Sequence, residues 1–424
     1  MREVLVDVLV SMEHWSLYRA ALLFVAGYPL LAAVVWVVTA LLFYVRRERR
    51  GSEVALPAEP ADLPTVTVLV PAYNEQTNIL ETVETCLEID YPDFEVLVVD
   101  DGSSDATREL LEPSVAAGRI RLLAKEVNEG KALALNDGLL VAHGEIAVII
   151  DADARPDPQV LRVMIGHFTS SPRVAAVTGN PRVVERHNFL TRLQTVEFTA
   201  IVSLLRRAQR VWGRIVTVSG VVTAVRVSAV FDVGGFSHDM DTEDIDLTWK
   251  LQRRFYDVRY EPRALVWMRV PTTLRGLWRQ RSRWARGLAQ VLRVHGPSVI
   301  GSYRARRLWP TLIEAVCSVL WAYMFTVLTL IWVAALVLGA PLEAVSPFPA
   351  LWGMVIATVA IVQLSVGALL DSHYERSIYA SLGYVVFYPL VYWILMSVVT
   401  VVNTPRALLG RRAEVARWHT VRGT

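Results

Sequence analysis

The sequence predicts an α/β body built on an open parallel sheet, joined to transmembrane and interfacial α-helices. Three observations predict it. The 424 residues are 53% hydrophobic with a mean hydropathy of +0.37, more than a soluble core requires, which argues against a purely soluble enzyme. Charged residues still make up 20% and avoid a few long stretches, as in a water-soluble body tethered to membrane spans. Between residues 65 and 270, short apolar runs bounded by turn residues alternate with longer stretches of helical period. The net charge of +2 hides a local pattern, because arginines cluster beside the apolar stretches; this reads as membrane flanking before nucleic-acid binding. Two cysteines, Cys86 and Cys317, suffice neither for a disulfide framework nor for a cysteine-built zinc site, and the compartment facing the body is expected to be reducing.

A helix crossing a ~30 Å hydrocarbon core needs about 20 apolar residues. Residues 20 to 45 carry no charge and run into Arg46, Arg47, Arg49 and Arg50, which puts residue 46 onward in the cytoplasm. The run is too long for a signal peptide and lacks a small-residue cleavage site, so residues 1–50 read as an uncleaved anchor. Three further stretches, 311 to 340, 348 to 370 and 378 to 403, are separated by a turn around Pro341 and Pro347 and by the polar loop Asp371 to Ser377. Three spans return the tail to the outside. Yet the tail over 406–424 carries Arg406, Arg411, Arg412, Arg417 and Arg422, which argues for the cytoplasm: either one segment is re-entrant or the charge rule fails here. Residues 271 to 295 set Leu274, Leu277, Trp278, Trp284, Leu288, Val291 and Leu292 at helical spacing among Arg275, Arg279, Arg281, Arg283 and Arg286, the pattern of a helix lying in the interface. An ordinary amphipathic helix on the body is the alternative.

Within the body, Thr65 to Val70 ends in Pro71, Phe94 to Val99 ends in Asp100 and Asp101, and Ile146 to Ile150 ends in Asp151, as strands buried on both faces do. Thr77 to Leu87, Ala106 to Leu111 and Lys131 to Val141 supply the intervening helices. In such a sheet, ligands sit at the carboxyl ends of the strands, and polar residues crowd those ends here.

Pro71-Ala72-Tyr73-Asn74-Glu75 leaves a strand and enters a helix, where N–H groups and an aromatic ring can hold a planar ligand; a turn and N-cap produce the same letters. Asp100-Asp101-Gly102-Ser103-Ser104-Asp105 sets two carboxylates at a flexible turn, and an acidic acceptor such as Asp101 can take the imide N–H of a base, which would select uracil; turn chemistry is the plain reading. Asp151-Ala152-Asp153 points two carboxylates to one side, and they repel unless a cation neutralises them, which suits Mg²⁺ or Mn²⁺ held together with nucleotide phosphates. Thr242-Glu243-Asp244 opens an amphipathic helix; capping predicts acids there, but Asp241, Glu243, Asp244 and Asp246 are denser than capping needs, and a base for a sugar hydroxyl is the functional reading. In the motif of Gln280, Arg283 and Trp284, Arg283 can bind a diphosphate and Trp284 can stack on a sugar ring; a snorkelling arginine and an interfacial tryptophan are the plain readings.

In this order the clusters resemble those of the processive family 2 glycosyltransferases, which include cellulose, chitin and hyaluronan synthases. Asp101, the pair Asp151 and Asp153, the triplet Thr242 to Asp244, and Gln280, Arg283 and Trp284 as a Q-x-x-R-W motif carry the resemblance. It is nearest to bacterial poly-β-1,6-N-acetylglucosamine synthases through Val177 to Arg182, Thr217 to Val221, Met240 to Leu251 and Tyr260 to Leu265. The resemblance implies a Rossmann-like, glycosyltransferase-A type cytoplasmic domain over residues 51–270, an interfacial region over 271–300 and transmembrane helices over 301–405. It implies inverting, processive transfer of N-acetylglucosamine from UDP-N-acetylglucosamine to a growing exopolysaccharide of biofilms, with export of the chain across the bacterial plasma membrane. By resemblance, Tyr73 and Asp101 hold uracil, Glu75 and Lys131 lie at the substrate, Asp151 and Asp153 address ribose, diphosphate and metal, Asp244 beside Glu243 is the base, and Gln280, Arg283 and Trp284 cover diphosphate and acceptor. The partners implied are the donor, the polysaccharide, the bilayer and a small accessory membrane subunit, with no nucleic acid. Chitin-oligosaccharide and hyaluronan-type synthases, and non-processive lipid-linked transferases, share most of this pattern. Ala152 stands where glycine is common, and the tail from Arg417 to Gly423 matches only in part.

Overall fold

The computed structural model describes residues 2–12, 15–49, 63–340 and 350–410. In chain order the elements are α1 (Arg2–Ser11), α2 (Ser16–Phe43, prolonged by a π-turn to Glu48), β1 (Val66–Ala72), α3 (Ile79–Leu87), β2 (Phe94–Asp100), α4 (Thr107–Ala116), β3 (Arg121–Ala124), α5 (Lys131–Val141), β4 (Ile146–Ile150), β5 (Ala154–Pro156), α6 (Val160–Thr169) and β6 (Val174–Val183). There follow α7 (Phe189–Val196), a π-helical turn (Glu197–Val202), α8 (Ser203–Trp212), β7 (Val222–Arg226), α9 (Val227–Asp232), α10 (Glu243–Arg253), β8 (Asp257–Met268), α11 (Leu274–Ile300), α12 (Trp309–Leu338), α13 (Ala350–Asp371) and α14 (Phe387–Leu409). Lone 3₁₀ segments precede α12 and α14. The turn around Pro341 and Pro347 and the basic tail beyond Gly410 lie outside the described residues.

Every residue of β1 and of β4 is buried, because helices cover both faces of the sheet. Alternate side chains of β1 serve two cores. Val66, Val68 and Val70 pack with Ile79 and Val83 of α3 and Leu161 and Ile165 of α6, whereas Leu69 packs with Leu135 and Leu139 of α5. The strand order is β3-β2-β1-β4-β7-β6-β8-β5. The open α/β sheet is as expected, but only its first half is purely parallel: β7 pairs antiparallel with both β4 and β6, and β5 pairs antiparallel with β8. The chain departs from β1 to β2 on one side and to β4 on the other, which makes the carboxyl ends of β1 and β4 the switch point where a ligand crevice opens.

Among the described residues, four helical segments are long and apolar enough to cross a membrane: Ser16–Glu48, Tyr303–Leu338, Trp352–Asp371 and Val391–Leu409. The first three agree with the stretches read from the sequence. The fourth begins later than expected, since residues 376–386 form a 3₁₀ segment whose Ile378 and Val385 pack on Leu190 and Leu193 of α7, so their apolarity serves the body. α11 is longer than its sequence pattern suggested and is wedged between the body and α14. Leu277 packs against Tyr388 and Tyr392, Ser282 accepts from Asn403 at 3.1 Å, and Arg293 donates to the carbonyl of Gly410 at 2.6 Å. α14 therefore runs alongside α11. Its contacts with α12 differ: Trp393 meets Trp321 and Thr404 meets Tyr323.

Candidate active site

The strand-end loops after β1 and β2 are stitched together. Asn74, in the left-handed region at φ 54°, accepts the N–H of Ser104 on its side chain at 2.8 Å and donates its own N–H to Ser103 Oγ at 2.9 Å. Asp105 accepts from the N–H groups of Gln76 and Thr107, so it acts as a structural cap. Glu75 is buried, accepting from Asn78 Nδ2 at 2.9 Å. Tyr73 is half-buried in the same loop. Asp101 is fully buried beneath it. Its carboxylate takes the N–H groups of Gly130 at 2.8 Å and Glu129 at 3.1 Å, an approach that Gly130 permits at φ 96°, while burial pushes its pKa up.

From Gly130 the structure passes to the second half of the site. Lys131, the first residue of α5, places its ammonium 2.6 Å from Asp151 Oδ1, 3.3 Å from the carbonyl of Gly220 and 3.5 Å from Glu243 Oε1. Burial opposes that charge, but Asp151 and Glu243 outweigh it and raise the Lys131 pKa. Gly220 lies against Asp244: a Cβ there would come within 3.3 Å of Asp244 Oδ2. Burial first, and then the neighbouring Glu243, lift the Asp244 carboxyl to about 6 despite Lys131 and Arg283. Asp151, Asp153, Glu243 and Asp244 thus share one cavity of about 590 Å³ with Lys131, Gln280, Arg283 and Trp284. The cavity does not end at the body. It continues between α2, α12, α13 and α14, lined there by Trp36, Trp321, Gln363 and Trp393.

The triplet owes its place to α11. Asp241 accepts from Arg286 Nε at 2.8 Å and gives its N–H to Gln290 at 2.8 Å, and Gly287 leaves α11 so close to Thr242 that a Cβ would overlap its Oγ1 at 1.9 Å. Asp246, also in the acidic run, is taken up by His295 at 2.8 Å and Lys250 at 3.1 Å and belongs to the scaffold.

The model of the family described as "Glycosyl transferase family 2" matches residues 67–234. A poly-β-1,6-N-acetyl-D-glucosamine synthase of Staphylococcus epidermidis is 33% identical over 403 residues, covering 93% of this chain and 96% of that one. The chain belongs to glycosyltransferase family 2. A poly-β-1,6-N-acetyl-D-glucosamine synthase of Staphylococcus aureus is 35% identical over 407 residues, with the same coverage of 93% and 96%. A mannosyltransferase of Pyrobaculum calidifontis, solved with GDP-Man and Mn²⁺, shares the fold with a TM-score of 0.61, at 24% identity over 91% of this chain and 100% of that one.

In this glycosyltransferase, eight of the residues singled out from the sequence line the one cavity, and three do not. Tyr73, Glu75 and Asp101 lie outside its lining; Asp101 is joined to it through Gly130, whose neighbour Lys131 pairs with Asp151. Sequence reasoning missed Glu197 and Arg206, which also line the cavity, and Arg281 behind it. A lone glutamate in the apolar run from Val196 to Val202 was the available signal for Glu197. Among the described residues no three His, Cys, Asp or Glu side chains form a ready-made metal cage. Two adjacent carboxylates open to a cavity, with the remaining positions left to a ligand, nevertheless fit a cation that is held in part by phosphates.

Proposed function

We propose that this glycosyltransferase transfers N-acetylglucosamine from UDP-N-acetylglucosamine, with inversion, to the end of a growing β-1,6-linked polysaccharide, in a bacterial plasma membrane with its body in the cytoplasm. The observation that carries the reading is the raised Asp244 carboxyl, set in one cavity with Asp151, Asp153 and Lys131 and continuous with the space between the membrane helices. Relatives at 33–35% identity over nearly their whole length support the sugar and the linkage.

In this reading Asp244 takes the proton of the acceptor hydroxyl, that oxygen attacks the anomeric carbon, and the carbon–oxygen bond to the diphosphate breaks as UDP leaves. A group whose pKa is near 6 is ionised at neutral pH yet basic enough to accept a proton. One displacement inverts the anomeric centre. Lys131 and Arg283 face the charge that grows on the leaving diphosphate. Asp151 and Asp153 would hold Mg²⁺ or Mn²⁺, which supplies charge neutralisation for the diphosphate. Trp284 and Gln280 bind the acceptor, and Tyr73 and Asp101 border the base. The cavity's aromatic and amide lining between the helices is suited to pass a sugar chain outward, which makes repeated addition without release feasible in one molecule.

Incubating the purified full chain with single nucleotide sugars and Mg²⁺ tests the reading: UDP-N-acetylglucosamine should release UDP and yield polymer. Preference for another donor would overturn the substrate, and no UDP release from any donor would overturn the reaction.

A further inference from the structure

The Q-x-x-R-W segment contains an arginine with no place in the reaction above. Arg281 is fully buried, does not line the cavity, and is ion-paired with Glu197 on the π-helical turn between α7 and α8. Among the described residues its Nε and Nη1 have no acceptor in good hydrogen-bond geometry. Instead its guanidinium lies 3.9 Å from the ring centre of Trp284, and 6.0 Å from those of Phe198 and Tyr392. All three aromatic residues line the cavity, each from a different element: Trp284 from α11, Phe198 from the π-helical turn and Tyr392 from α14. A buried arginine with one carboxylate and two unmatched donors is costly if it only fills space, and an apolar residue would fill the same space at less cost. Cation–π attraction to several rings at once gives it a use, because a desolvated guanidinium fixes the plane of each ring it faces.

We propose that Arg281, held by Glu197, is a positioning residue that sets the aromatic wall of the acceptor subsite, with Trp284 as its main contact. The guanidinium takes one face of the indole and leaves the rest of the ring to the sugar. The inference rests on the assignment of Trp284 to the acceptor under the proposed function. It adds a link from that ring to α14, so that the acceptor site and the membrane helix share one buried cation.

The test uses the purified full chain with UDP-N-acetylglucosamine and an N-acetylglucosamine oligosaccharide as acceptor, comparing wild type, Arg281→Lys, Arg281→Met and Trp284→Ala. Oligosaccharide affinity is read separately by calorimetry. Arg281→Lys keeps the charge beside Glu197 but loses the planar stack. It should raise the acceptor KM and Kd on the order of tenfold, the scale of one desolvated cation–π contact, shorten the polymer, and leave the donor KM within about twofold. Adding Arg281→Met to Trp284→Ala should change the acceptor Kd little further. Unchanged acceptor Kd and polymer length in Arg281→Lys would overturn the proposal, as would donor and acceptor KM rising together with a fall in Tm. If the wild type binds oligosaccharide but releases no UDP from UDP-N-acetylglucosamine, the donor reading fails, and the variant affinities still decide the role of Arg281.

Discussion

The base proposed here, Asp244, owes its character to what surrounds it. Burial and the adjacent Glu243 hold its carboxyl near 6, and neither would act on an exposed cap. Since the pKa is raised, the proton-accepting form is lost as pH falls. We expect kcat/KM to be flat above pH 7 and to fall toward tenfold per unit below about 6, as a pH–rate profile would record. Asp244→Asn should reduce transfer by at least about 10³-fold while UDP affinity, measured by calorimetry, stays within a few-fold. Normal turnover in that variant would reassign the base.

Between elements, the critical contact is α11 against the start of α10. Gly287 leaves no room for a methyl group beside Thr242, whose side chain is branched and cannot swing aside cheaply. Gly287→Ala should cost roughly 1–3 kcal/mol by overpacking and displace Glu243 and Asp244. Transfer should therefore fall more than tenfold with donor affinity less affected, in steady-state kinetics beside a thermal melt. Much at this scale was legible in the sequence. β1, β2 and β4 announce themselves as short, largely apolar runs ending in turn or acidic residues, and Asp151 and Asp153 follow β4 where a ligand site belongs. β6 and β8 were not read as strands because Gly179, Pro181 and Pro262 interrupt them, and the pairing is indeed shifted between Thr178 and Asn180. Arg281 looked like one more interfacial arginine among five, since its partner Glu197 is 84 residues away and nothing local reveals the pair. That the carboxylate of Asp101 also takes the N–H groups of Glu129 and Gly130 was not legible, because only loop closure brings them together.

Across the whole molecule, a buried ion network fastens the body to the membrane helices. Arg207 bridges Glu48 at the end of α2 and Asp371 at the end of α13, and Arg182 of β6 meets Asp371 as well. Breaking such a network on one side leaves a buried charge, at a cost of roughly 3–5 kcal/mol. Arg207→Met should thus lower Tm in detergent by several degrees, a shift Asp244→Asn should not share. The placement of α14 along α11 bears on its C-terminal end. If α14 lies along α11 at the membrane surface, α2, α12 and α13 are the crossings among the described residues, and Gly410 stays on the side of the body. A cysteine introduced at Gly410 should then be labelled by an impermeant reagent only when the body's side is accessible. Labelling from the opposite side would mean that α14 spans.

The central claim is that the carboxylates gathered at the ends of β4 and α10 act on a sugar nucleotide as one site. UDP release from UDP-N-acetylglucosamine with Mg²⁺, compared among wild type, Asp153→Asn and Asp244→Asn, tests it most directly. Polymer should form with the wild type alone, with UDP binding weakened in Asp153→Asn and kept in Asp244→Asn. Turnover near the wild-type rate in either variant would contradict it.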